Sequence, residues 1–201
     1  MTTEVTLRDR ILDATVKVLK RHGAEKTNVV DVAEVLEMSP GNIYRFFASK
    51  KALLEAVAMR WVDEMTTPIE AIAADHTRPA ADRLALWFDT LRKSKRRKLI
   101  DEPELFQVYL DIVGDARKTA EEHVKMLLRQ LEGIIKDGKT SGEFAADIET
   151  KAAARAFLQA TSAFHHPALV VQRPSPTEAE ARALLQLLLA GLRVGGNQSG
   201  H

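Results

Sequence analysis

Cysteine is absent from the 201-residue chain. That excludes a disulfide scaffold, a thiolate zinc site, a thiol nucleophile and a cysteine redox sensor, and it fits a reducing compartment. An excess of either charge is also missing: 29 Lys and Arg face 28 Asp and Glu, a balance of +1. The chain as a whole is no polycation, so any surface for a polyanion must be local. A long apolar run is lacking too. The opening MTTEVTLRDR leads into no signal-peptide core, and the longest uncharged stretch, 156–172, contains Gln159, Thr161, Ser162, His165, His166 and Pro167. That stretch is too polar to span a bilayer, and the expectation is a cytoplasmic protein. Strand alternation, internal repeats, heptads and low-complexity tracts are not found.

What remains is ordinary globular composition, 45% apolar and 28% charged, arranged with helical period. Leu7, Ile11, Ala14 and Val18 form the first stripe, with Thr6 as N-cap, Asp9 three residues on and Gly23 as a stop. A short helix follows Thr27-Asn28, and another opens at Ser39-Pro40, its apolar side given by Ile43, Phe46 and Phe47. Ser49 caps the next, striped by Leu53, Val57, Trp61 and Met65. Pro68 predicts a break. Longer helices then run from Pro79 to the basic run near Arg92, from Pro103, from about Ala120 to Gly138, from Glu149 to His165 and from Thr177 to Arg193. The expected fold is all-α, divided as 1–48, a connecting helix 49–66, a larger helical domain 67–194 and a disordered tail 195–201.

The informative stretch is Thr27 to Phe47, two short helices joined by about three residues and preceded by a longer one. This is the helix-turn-helix layout, in which the second helix presents its N-terminal residues to base edges in the major groove. Pro40 and Gly41 are small enough for close approach. Asn42, Tyr44 and Arg45 are the contact candidates: Asn can bridge an adenine edge and Arg a guanine edge. Lys50 and Lys51, at the start of the following helix, suit phosphate. Residues 1–65 hold 10 basic and 10 acidic side chains, so binding must rest on where a few cations point, among them Lys26, Arg45, Lys50 and Lys51.

The runs Thr27-Asn28-Val29-Val30-Asp31-Val32-Ala33, Met38-Ser39-Pro40-Gly41-Asn42-Ile43-Tyr44-Arg45-Phe46-Phe47 and Ser49-Lys50-Lys51-Ala52-Leu53-Leu54 resemble the DNA-binding signature of the TetR (tetracycline-repressor-like) family. Ile11, Ala14 and Gly23 extend the likeness, which covers roughly residues 7–55; Gly142-Glu143-Phe144 and Asp147 continue it weakly. The resemblance places Gly41, Tyr44 and Phe47 in the recognition helix and Lys50 on phosphate, with Thr27, Asn28, Ser39, Pro40, Asn42, Arg45 and Lys51 at the same interface. One position departs: the turn usually carries Gly where Glu37 stands. The resemblance implies a homodimer reading a palindromic operator, an effector pocket in the C-terminal helices, and most often a repressor without enzymatic activity or cofactor.

The C-terminal residues bear on this independently. Leu184, Leu185, Leu187, Leu188, Leu189 and Leu192 cover most of one helix, so it needs cover on several sides; Ala152, Ala153, Ala156 and Ala160 allow close approach on its neighbour. A four-helix dimer interface is expected, the alternative being two interior helices of a monomer. Trp87, Phe88, Phe106, Tyr109, Met126, Phe157 and Phe164 could line a pocket for a partly apolar effector, with Tyr109, Gln159, Thr161 and His165 to orient it; such residues are also ordinary core. His165-His166 reads as a helix-end pair favoured by the dipole rather than a metal site, since adjacent histidines point about 100° apart. The run Arg92–Lys98, six basic residues in seven, reads as a solvated helix end, with polyanion binding as the alternative. Two other functions stay open: a DNA-binding architectural protein without effector, and a helical enzyme built on His165 and His166, against which no nucleophile–base constellation or phosphate loop is found.

Overall fold

A computed structural model describes residues 6–115, 117–172 and 176–193, with side chains at all of these except 112–115, 117–120, 167, 171 and 172. Among the described residues the regular structure is entirely helical: α1 (Leu7–Lys26), α2 (Val29–Val35), α3 (Pro40–Tyr44), α4 (Lys50–Ala74), α5 (Ala80–Asp101), α6 (Pro103–Asp115), α7 (Arg117–Ser141), α8 (Thr150–Ala160), α9 (Ser162–His165), α10 (Pro167–Gln172) and α11 (Glu178–Arg193). The tail expected at 195–201 lies outside the described residues. The chain forms two compact units, residues 1–64 with 98–116 and residues 65–97 with 117–201.

In the first unit, α1 starts on a complete capping box: Thr6 Oγ1 accepts from the Asp9 N–H while Asp9 accepts from the Thr6 N–H. Gly23 (φ 75°, ψ 168°) interrupts it three residues before its end, a backbone state that glycine enters without Cβ strain. Ile11, Leu12, Val18 and Leu19 are buried with Val32, Ile43, Phe47, Leu53 and Val57, and α6 packs on α1. Phe46, expected inside, is 44% exposed. α3 ends at Tyr44, and the turn that follows, in which Phe46 and Phe47 both donate to the Ile43 carbonyl, directs Phe47 inward and Phe46 out.

No break occurs at Pro68, which lies inside α4. It is exposed, while Met65 and Ile69 beside it are buried. A missing N–H costs least on the solvent side, where water can meet the freed carbonyl, and burial of the neighbours on the inner side outweighs it.

The second unit is built around Leu84, Trp87, Phe88, Leu91, Leu131, Ile134, Ile135 and Phe157. Its aromatic rings meet edge to face, Phe88 with Phe164 at 5.3 Å and Trp87 with Phe157 at 6.4 Å. Glu143 reaches back to cap α5, accepting from the Ala80 and Ala81 N–H groups at 2.8 and 3.1 Å. The helix expected from Glu149 to His165 is broken at Thr161 (φ −84°, ψ −1°). There the hydroxyl proton turns back to the Phe157 carbonyl at 2.8 Å, and the chain restarts as α9 and then α10. The basic run also departs from expectation. α5 continues to Asp101, so the run lies within the helix, and Arg92, Lys95 and Lys98 at three-residue spacing turn inward. Arg92 pairs with Asp89 and Glu178; Lys98, in the first unit, pairs with Glu64 and Glu102 at 2.7 and 2.8 Å.

Candidate nucleic-acid interface and helical interior

α2 and α3 are joined by a turn in which Met38 donates to the Ala33 carbonyl and Glu37 to the Glu34 carbonyl. Glu37 takes φ 53°, the positive-φ position that glycine favours. The sequence departure at this residue and the backbone strain therefore coincide. Asn28 precedes α2, its N–H donating to Asp31 at 3.2 Å and its side chain to the Lys26 carbonyl at 3.3 Å.

The nominated DNA contacts fall into two groups. Asn28, Ser39, Gly41, Asn42, Tyr44, Arg45 and Lys51 are exposed, and Pro40 is half-buried. Tyr44, a large ring that a core would take, is 51% exposed, with Ile43 next to it fully buried. This is a helix whose inner residue anchors it and whose outer residues face away from the unit. Thr27 differs. It is 1% exposed and donates to the Gly23 carbonyl at 2.7 Å, which ties the end of α1 to the start of α2. Lys50 is half-buried and donates to the Glu25 carbonyl at 3.1 Å, joining the start of α4 to the end of α1. Ser49 caps α4 by accepting from the Ala52 N–H.

The nominated interior residues do not share one unit. Phe106 and Tyr109 belong to the first, where both rings pack on Trp61 at 5.8 and 5.5 Å. Trp87, Phe88, Met126, Phe157, Thr161, Phe164 and His165 belong to the second. There Trp87 donates to Gln130 at 2.7 Å, and Thr161 contacts His165 Nε2 at 3.1 Å. An open cleft of about 510 Å³ on this unit lies between α5 and α11, with Phe88, Arg92, Glu178 and Arg182 among its lining; of the nominated residues only Phe88 reaches it.

Sequence reasoning missed Lys95 and His123. Lys95 is 2% exposed, and burial pulls its ammonium down to about 8. His123 is held at about 3 by burial, then by Lys95, then by His165. His165 is held at about 3 by burial, then Lys95, then His166, and His166 is lowered by burial and by Lys95. His165 is thus a buried neutral imidazole, not a dipole-stabilised cation at a helix end. The Arg92, Lys95, Lys98 spacing was the available signal for an inward basic stripe. Among the described residues no group of three or more His, Asp or Glu side chains is placed to hold a metal ion, and no helix is long and apolar enough to cross a membrane.

The model of the tetR family of bacterial regulatory proteins matches residues 11–57, and the tetracyclin repressor-like C-terminal domain matches residues 80–185. The chain belongs to the TetR family. Its helix-turn-helix is that of a TetR-family transcriptional regulator, and residues 80–185 belong to the family's C-terminal domain. Solved structures agree on the fold. A TetR/AcrR regulator from Thermobifida fusca aligns with TM-score 0.67 at 18% identity over 92% of this chain and 98% of its own. FadR from Bacillus subtilis, in complex with stearoyl-CoA, aligns with TM-score 0.59 at 23% identity over 90% and 97%. The fatty acid degradation regulator FadR from Bacillus halodurans gives 0.59 at 22% over 92% and 96%. No curated protein matches.

Proposed function

We propose that this TetR-family regulator is an effector-responsive repressor acting in the cytoplasm as a homodimer on a palindromic operator. The observation that carries the reading is the α2–α3 pair with Asn42, Tyr44 and Arg45 exposed beside a buried Ile43. Residues 1–48 bind DNA, residues 49–66 connect, and residues 67–194 take the effector and the partner. Lys50 and Lys51 meet phosphate at the start of α4. Thr27 serves indirectly, by fixing the angle at which α2 leaves α1.

Dimerisation joins α8 and α11 of two copies. Ala152, Ala156 and Ala160 are exposed on α8, and Leu187 is 70% exposed on α11. Two recognition helices about 34–36 Å apart then match one turn of DNA. A partly apolar effector in the second unit shifts α4 and changes that spacing, so effector and operator weaken each other's binding by the same factor.

Selection from a random duplex pool at moderate salt tests this. A palindromic site recovered from wild type and bound much less by Tyr44→Ala and Lys50→Ala, both still folded, supports the repressor. Salt-sensitive binding without sequence preference favours the architectural alternative, and unchanged affinity in both variants removes α3 from the interface.

A further inference from the structure

Phe46 is 44% exposed and stands two residues after Tyr44, which is 51% exposed. Arg45 between them is exposed too. Neither ring is needed to anchor this segment. Ile43 and Phe47 are buried on either side, and the Arg8 guanidinium lies over the Phe47 ring at 5.3 Å. The backbone of the turn holds the arrangement, with the Phe46 and Phe47 N–H groups donating to the Ile43 carbonyl at 2.9 and 3.1 Å. Val30 and Val35, on the neighbouring α2, are exposed as well. Of the ten large apolar side chains that stand exposed among the described residues, four (Val30, Val35, Tyr44 and Phe46) fall within residues 30–46. A single exposed apolar side chain needs no explanation, but this concentration on one short segment marks a surface that meets a partner.

The segment lies in the helix-turn-helix matched by the tetR family over residues 11–57, so the partner is duplex DNA. Its side chains divide by what each can take from a base edge. Asn42 and Arg45 offer hydrogen bonds. Phenylalanine has none to offer. Set against a phosphate or a polar base edge, its ring would strip away water and leave the lost bonds unreplaced. The one apolar group that a base edge presents in the major groove is the C5 methyl of thymine. Against that methyl both surfaces leave water and no polar group is left unpaired.

We propose that Phe46 is a specificity-determining residue of this regulator and reads the C5 methyl of one thymine in each operator half-site. The inference rests on the operator-binding reading above. It adds a contact that hydrogen-bonding side chains cannot make, and it requires a thymine at a fixed place in the half-site.

Deoxyuridine isolates the contact, because it keeps every hydrogen-bonding group of thymidine and lacks only the methyl. The full chain is titrated by fluorescence anisotropy, at fixed salt, against the palindromic site selected from the random pool. It is then titrated against duplexes in which one thymine at a time, symmetrically in both half-sites, is replaced by deoxyuridine. At one position wild type should lose about fourfold in affinity for each half-site, about fifteenfold over both, the worth of burying one methyl. Phe46→Ala should bind the thymidine and deoxyuridine duplexes equally at that position. If the variant binds too weakly to titrate, both proteins are compared at lower salt, where phosphate contacts strengthen the two duplexes alike. If it loses helicity by circular dichroism, Phe46→Gln takes its place. A selected half-site without thymine, no position sensitive to the methyl, or a sensitive position that stays so in the Phe46 variant overturns the proposal and leaves the repressor reading standing. Failure to recover any palindromic site overturns the operator reading, and this one with it.

Discussion

At φ 53° the Cβ of Glu37 sits against its own backbone, in a region that glycine enters freely. Among the described residues its exposed side chain makes no hydrogen bond or ion pair in return, and it places a carboxylate in the turn before α3. Glu37→Gly should therefore raise stability by about 1 kcal/mol despite the extra freedom of an unfolded glycine. Operator affinity should rise as well, with the like-charge repulsion from phosphate gone. Denaturant melts and operator titrations of the two proteins check both, and a destabilised Gly variant would show the turn to be unstrained. Glu102 is a second residue with a measurable signature. Burial pushes its carboxyl up, but Lys98, Trp61 Nε1–H and Lys20 together hold it down at about 2. A depressed carboxyl contributes stability above its unfolded value of 4.5 and loses that contribution as pH falls toward about 2. Glu102→Gln should cost about 1–2 kcal/mol at pH 7. The gap between variant and wild type should close across that acid window, as followed by urea unfolding at stepped pH.

Among the elements, the end of α7 leaves no room for a side chain at Gly138. A Cβ at Gly138 would lie 2.2 Å from Phe144 Cδ2 and 2.9 Å from the Ala80 Cβ, and the Phe144 N–H donates to the Gly138 carbonyl. Neither the buried ring nor the start of α5 can retreat without disturbing the Glu143 cap. Gly138→Ala should cost about 1–3 kcal/mol although it improves helix propensity, and calorimetric melting measures it. This junction also marks what sequence alone conveys. Caps were legible because they are local: Thr6 with Asp9, and Ser49 at the start of α4. The helix-turn-helix was legible because its small, apolar and polar positions recur in one register. Pro68, Phe46 and the basic run were misread because each was decided by packing. Pro68 continues a helix whose inner face is buried, a three-residue turn expels Phe46, and Lys95 is drawn inward on a stripe that its neighbours Arg96 and Arg97 conceal. His123 carried no pattern of its own, and its burial follows from packing rather than from any local motif.

For the whole molecule the decisive quantity is the number of copies. On α8, Ala152 and Ala156 recur at four-residue spacing and are exposed, while on α11 Leu187 is 70% exposed between half-buried Leu184 and Leu188. Small residues on α8 and an uncovered leucine on α11 are what the proposed interface would bury against a second copy through a twofold axis. Within a single chain Leu187 adds little to the core, so Leu187→Glu should leave helicity and thermal unfolding at low concentration nearly unchanged. Across a twofold axis two carboxylates would replace two leucines in an apolar seam, and assembly should fail. Sedimentation equilibrium should therefore give twice the chain mass for wild type and a single chain for the variant. Operator binding follows from the same count. A monomer neutralises half the phosphates, so its dependence of log affinity on log salt should fall to about half the wild-type slope. If the variant keeps both the dimer mass and the full slope, the α8–α11 face is not the interface.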